Sequence, residues 1–197
     1  MNRAEASALL EWAVAQNPGP WREHSLGVGH AAQVIARAAD MDDEKAYLMG
    51  LLHDIGRYEG VRGLHHAVAG YALLMDRGWP EGARVCVTHS FVTGNIDHFG
   101  GGALDVSEAE MALVLRILDT PFDDYDRLIQ LCDALTWGEG VCLMEKRMVD
   151  VVLRHSAFPG MAEKWRKWFD LKAYFEAKIG GSLYDLFPEC AEYTFKR

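Results

Sequence analysis

The chain has 197 residues, half of them hydrophobic, and a formal charge of −9, which suits one domain with a real core and no Pro/Ser-rich linker to divide it. That charge argues against the broad phosphate-neutralising surface of a nucleic-acid binder, and no apolar run approaches the roughly 20 residues of a membrane span. Cys86, Cys132, Cys142 and Cys190 form no CxxC pair and the N-terminus has no signal-peptide pattern, so the expectation is a cytoplasmic protein with reduced thiols.

Residues 2–16 are rich in Ala, Leu and Glu and predict a helix, closed by Asn17-Pro18-Gly19-Pro20. A second helix is predicted from about Trp21 to Ala39, with an apolar stripe through Val28, Ala31, Ile35 and Ala38 that extends back to His24 and leaves His30 off it. Asp42, Asp43 and Glu44 cap and charge the start of a third. It runs into LLHDIGR (51–57), where His53 and Asp54 share a face with Ala46 and Gly50, a small-residue face that lets other helices approach closely. Gly56 is expected to stop this helix in a left-handed conformation. Hydrophobic neighbours bury the His-Asp corner, and a buried carboxylate demands a cation or hydrogen bonds, a divalent metal being the simplest compensation.

The loop 57–63 holds Arg57 and Arg62 beside that corner. A fourth helix is predicted from about Leu64 to Arg77, with His66 and Gly70 on one face and His65 turned to solvent, and a fifth from Pro80 to about Ser90, with Gly82, Val85, Cys86 and His89 on one face. Residues 93–106 contain four glycines and read as an irregular segment, either a mobile loop over a pocket or a surface excursion. Ser107 to Glu110 matches a capping box for a helix to about Leu118, and Pro121 opens the next, where Asp133 interrupts the apolar run LIQLCDALTW. Helices follow over about 141–155 and 161–179. In the last, Trp165, Trp168, Phe169 and Phe175 are expected in the core and Lys164, Arg166, Lys167 and Lys172 on the wet face. With no strand pattern and no repeat, the fold class is an all-α single-domain helical bundle.

The buried ligand types are therefore His24, His53, Asp54, His66, His89 and Asp133, spread over five predicted helices. Carried by REHSLGVGHAAQVIARAA, AYLMGLLHDIGR and LCDALT, this pattern resembles the HD superfamily over roughly residues 21–137, with about 138–197 as a helical extension. HAVAG and VTHS match the two further histidines of the subset with two metals. The resemblance implies His24, His53, Asp54 and Asp133 on one divalent ion, with His66, His89 and a bridging Asp54 on a second. Imidazole and carboxylate suit Fe, Mn, Co, Ni or Zn better than calcium. The implied function is a metal-dependent phosphohydrolase acting on a nucleotide or another small phosphate ester, with Asp54 and Arg57 as catalytic candidates and Arg22, Arg57 and Arg62 as phosphate contacts. The family often has lysine where this chain has Arg57, and arginine is a poor proton donor. A di-iron oxygenase and a non-catalytic nucleotide sensor are the rival readings of the same ligand set.

Overall fold

The computed structural model describes residues 1–60 and 63–195, and the fold is all-α. Among the described residues there are ten helices and one short hairpin. Helix α1 (Arg3–Gln16) starts on an Asn2/Glu5 capping box and buries Ala6, Leu9, Leu10 and Ala13. Helices α2 (Trp21–Ala38) and α3 (Asp43–Leu52) cross where Gly29 meets Gly50. A Cβ on Gly50 would stand 2.8 Å from the Val28 carbonyl oxygen and 2.9 Å from the Gly29 nitrogen. No larger residue fits there. The close approach expected of the small-residue face is thus used in full, and it sets His24 beside His53 with ring centroids 5.4 Å apart.

Helix α3 ends sooner than its sequence suggests. His53 is its C-cap in helical geometry, Asp54 follows at φ −103°, and Ile55–Glu59 form a tight 3-10 turn. Gly56 does not adopt the left-handed conformation expected of it. Its lack of a side chain serves packing instead: a Cβ there would run into the His66 carbonyl and the Gly70 amide of α4 (His65–Asp76). This second glycine crossing brings His66 against the His-Asp corner.

Helix α5 (Pro80–Thr88) is fastened to α7 (Asp124–Leu135) through a buried carboxylate. Asp126 accepts from Arg84 Nε at 2.9 Å and from Thr88 Oγ1 at 2.6 Å, and Gln130 Nε2 donates to the Thr88 carbonyl at 2.9 Å. His89 follows α5, and Asp133 lies one turn beyond Gln130, so this clamp sets their relative position. Between them α6 (Glu108–Leu118) begins on the expected Ser107/Glu110 capping box. The glycine-rich segment is pinned before it: Leu64 donates to the Ala103 carbonyl, His65 N–H donates to Asp105, and Phe99 stacks on Phe91.

After α7 comes a feature with no sequence warning, an antiparallel hairpin of β1 (Thr136–Trp137) and β2 (Gly140–Val141). It docks at Gly27 of α2, where a Cβ would stand 2.6 Å from Thr136 Cγ2. Helices α8 (Met144–His155) and α9 (Met161–Ile179), a 3-10 turn (Leu183–Leu186) and α10 (Cys190–Phe195) complete the chain. Met144, Met148, Phe175, Leu183 and Phe187 join Val28, Ile35, Leu128 and Leu135 in one continuous apolar core. Two residues of α9 depart from the expected faces. Phe169 is exposed, whereas Lys164, expected in water, is buried.

Changing Gly56 to alanine forces a methyl group between two backbone strands that cannot yield, a cost at or above the roughly 3 kcal/mol upper range for overpacking. The melting temperature should fall by at least about 6 °C for a chain of this size. Gly181→Ala, with nothing within 4 Å of its new Cβ, should melt within about 1 °C of wild type. Equal melting of both variants would refute the tight crossing.

Candidate metal centre

Three histidines are oriented alike by their own helices. Nδ1–H of His53 donates to the Gly50 carbonyl at 2.7 Å, that of His66 to Gly63 at 2.6 Å, and that of His89 to Val85 at 3.2 Å. A carbonyl only accepts, so the ring proton sits on Nδ1 and each neutral ring presents the Nε2 lone pair. All three Nε2 atoms face Asp54. His53 lies 3.7 Å from Oδ2, and His66 and His89 lie 3.3 and 3.6 Å from Oδ1. His53 Nε2 and Asp54 Oδ1 are buried with no hydrogen-bond partner. Lone pairs converging on a carboxylate repel unless a cation lies between them, so these residues fit a metal.

Two overlapping sets have ligand atoms within 4.8 Å of one another: His24, His53 and Asp54, and Asp54, His66 and His89. Asp54 is common to both. Asp133 joins through His24, whose Nε2 is 2.9 Å from Asp133 Oδ1. The structure thus brings together all six ligand candidates read from the sequence. His53, Asp54, His66 and His89 are almost fully buried, whereas His24 and Asp133 retain side-chain exposures of 14% and 25% and mark the open side. His30 packs on Phe187 and His65 on Glu59. His65 lies off the ligand face as expected and keeps a side-chain exposure of 22%.

The electrostatics follow from burial. Desolvation pushes the His89 imidazole down to about 3, with His53 adding to the effect. It also lowers His24, against the pull of the Asp133 hydrogen bond. Burial alone would raise Asp54, but the adjacent Arg57 guanidinium holds it well below the usual carboxylate range. Arg57 Nε donates to Asp54 Oδ2 at 2.6 Å, while its terminal amino groups make no hydrogen bond to a described residue. Asp133 is likewise depressed, its burial outweighed chiefly by the His24 bond.

The other arginine candidates fare differently. Arg22 turns its guanidinium to Glu11 of α1, 2.6 Å away, and is not brought into the cluster as expected. Arg62 lies outside the described residues. Sequence reasoning passed over two cations near Asp133. Arg147 of α8 places Nη2 3.9 Å from Asp133 Oδ1, and Lys164 of α9 lies within the field of Asp133. The signal for Lys164 was present, since it precedes Trp168 by one turn and Phe175 by three, on the stripe that forms the core.

A helical scaffold with two His/Asp sets sharing one carboxylate is one able to hold divalent metal. Residues 21–138 match the HD domain family model, more than half of the chain, and the chain belongs to that family, whose members are generally metal-dependent phosphohydrolases. Comparison with curated proteins and with solved structures gives no match.

Because burial holds His89 neutral when folded and shifts His24 in the same direction, the unfolded chain binds protons that the folded one resists once pH falls below about 6.5. Stability of the chelator-treated protein should therefore drop from pH 7 to pH 5, each such histidine contributing up to about 1.4 kcal/mol per pH unit. The depressed carboxylates act in the same direction, but only below about pH 4. Melting curves should show a shallower slope over pH 7 to 5 for His89→Ala than for wild type; parallel slopes would contradict a neutral buried His89.

Proposed function

We propose that the protein is a metal-dependent phosphohydrolase acting on a nucleotide or another small phosphate ester. The observation that carries this reading is the buried Asp54 carboxylate shared by two ligand sets. In it His24, His53, Asp54 and Asp133 would hold one divalent ion, and His66, His89 and Asp54 a second. His24 and Asp133, hydrogen-bonded to each other here, would both serve the first. A donor set of imidazole and carboxylate without cysteine suits Fe, Mn, Co, Ni or Zn. Bound divalent ions supply Lewis-acid charge at the phosphoryl oxygens and ionise a water near neutral pH.

The chain's own residues do the rest. The carbonyls of Gly50, Gly63 and Val85 fix the three imidazoles by their Nδ1–H groups, so these ring orientations are set before the site fills, with only the Ser90 hydroxyl to leave His89 Nε2. Arg57 holds Asp54 in place through Nε and offers its terminal amino groups to a phosphoryl oxygen. As a guanidinium it stays charged, so it stabilises developing negative charge and does not donate a proton. The near-complete burial of the inner four ligands excludes bulk water, which strengthens each of these charges.

A phosphate-release screen over nucleotides and small phosphate monoesters, run on metal-loaded protein, tests the reading. Asp54→Ala should keep less than about a tenth of wild-type turnover, since a single transition-state interaction is commonly worth 10²-fold or more. Absence of phosphate release from every ester with every candidate metal would sink the hydrolase.

The number of ions is tested separately. Wild type should hold two ions per chain, His66→Ala and His89→Ala about one, and His98→Ala two, because losing one imidazole leaves the second ion too few protein ligands. Two ions retained in both His66→Ala and His89→Ala would remove these residues from the ligand set.

A further inference from the structure

Helices α8 and α9 follow the residues 21–138 that define the family, yet they bring two cations to the open side of the site. Arg147 contacts Asp150 at 3.1 Å and Asp133 at 3.9 Å, and its Nε–H is buried with no hydrogen-bond partner. The Trp168 indole Nε1–H is in the same condition. These two side chains and Asp133, with Ala134, Met148 and Val151, line one cavity of about 40 Å³. Where roughly 10–15 Å³ accommodates a water, that is room for about three or four waters, or for the oxygens of one small anionic group.

Lys164 does not line this cavity but adjoins it through Trp168, its Nζ 5.2 Å from the Trp168 ring and 5.6 Å from that of Phe158. The residue is 7% exposed, its ammonium donates to the Ser90 carbonyl at 2.9 Å, and among the described residues no carboxylate lies within 4.0 Å of it. Ser90 in turn hydrogen-bonds His89 Nε2 through its hydroxyl, at 3.0 Å. One residue therefore links the lysine to the imidazole cluster. A buried ammonium without a counter-ion is a poor way to stabilise a fold, and two unmet N–H donors next to it make the same demand for an acceptor.

We propose that Arg147, Lys164 and Trp168 form an anion subsite that holds a terminal phosphoryl group of the substrate beside the metal centre. This deepens the phosphohydrolase reading and rests on it. Two cations and a neutral N–H donor match the dianion of a phosphate monoester better than the monoanion of a diester, and the cavity has room for one such group. The substrate class is a phosphate monoester, a nucleoside monophosphate included. The helices that follow the family core thereby select substrate, while the core itself supplies the metal ligands.

The test is calorimetric titration of inorganic phosphate, with dimethyl phosphate as the diester probe, into the metal-loaded full chain. Lys164→Met and Arg147→Met should each weaken phosphate binding at least tenfold with bound metal per chain unchanged. Lys164→Arg should stay within threefold of wild type, and dimethyl phosphate should bind at least tenfold more weakly than phosphate. Lys164→Met should melt no lower than wild type, because it removes an unpaired buried charge. Phosphate affinity within twofold of wild type in both methionine variants would overturn the subsite, as would a fall in melting temperature and affinity that Lys164→Arg does not restore. If wild type releases phosphate from esters while the variants bind phosphate as it does, the subsite fails and the hydrolase stands. If the variants lose phosphate affinity in a protein that hydrolyses nothing, the subsite stands and the hydrolase fails.

Discussion

Asp54 is an ionised carboxylate enclosed by imidazoles that cannot donate to it. One oxygen is satisfied by Arg57 at 2.6 Å, and the other has no hydrogen-bond partner although His66 and His89 stand 3.3 and 3.6 Å away. The ring protons are committed elsewhere, to the carbonyls of Gly50, Gly63 and Val85. Arg57 offsets the burial of the charge, but leaving the second oxygen without a partner costs about 1–3 kcal/mol unless a further cation enters. The fold accepts that cost because it spends its packing on holding these side chains apart from water and close to one another.

That packing rests on the absence of side chains. The crossing of α2 with α3 needs Gly29 and Gly50, and the crossing of the turn after α3 with α4 needs Gly56 and Gly70. Each glycine pair lies within one or two turns of a ligand, so the distance between backbones sets the distance between imidazoles. The third approach is fixed differently. A buried ion pair and hydroxyl, Arg84 and Thr88 on Asp126, fasten α5 to α7 and thereby place His89 relative to Asp133. A methyl group at either crossing would displace a ligand by an amount that metal coordination does not tolerate, which links helix packing directly to chemistry.

The helices, their order and the six ligand candidates were legible because each left a local mark: a cap, a breaker, or a polar residue on an otherwise apolar stripe. Gly50 and Gly70 were also readable as points of close approach. The reason for Gly56 was not, because a glycine after a helix signals a left-handed cap as readily as a tertiary contact. Only the position of α4 distinguishes the two. The hairpin after α7 escaped notice since two residues per strand carry no period. Lys164 was misplaced for a different reason: in a run of lysines and arginines its charge suggested water, although its spacing to Trp168 and Phe175 put it on the buried stripe. Arg22 shows the converse, a cation close in sequence to His24 but turned to α1.

Charge explains how a chain carrying −9 can address an anion. Before metal enters, the carboxylates Asp54, Asp133 and Asp150 are balanced by Arg57, Arg147 and Lys164, so the site offers phosphate no net positive charge. In the proposed reading two divalent ions supply it, since their charge exceeds that of the carboxylates that hold them. Lys164 and Arg147 then act on an anion already attracted, in a region where low dielectric strengthens each contact. Metal and substrate must therefore bind with positive coupling, and by linkage the anion must in turn tighten the metal. Lys164 on α9 suits this order of events best, because no carboxylate among the described residues lies within 4.0 Å of it and it does not compete with the metal as Arg57 does at Asp54 and Arg147 at Asp133.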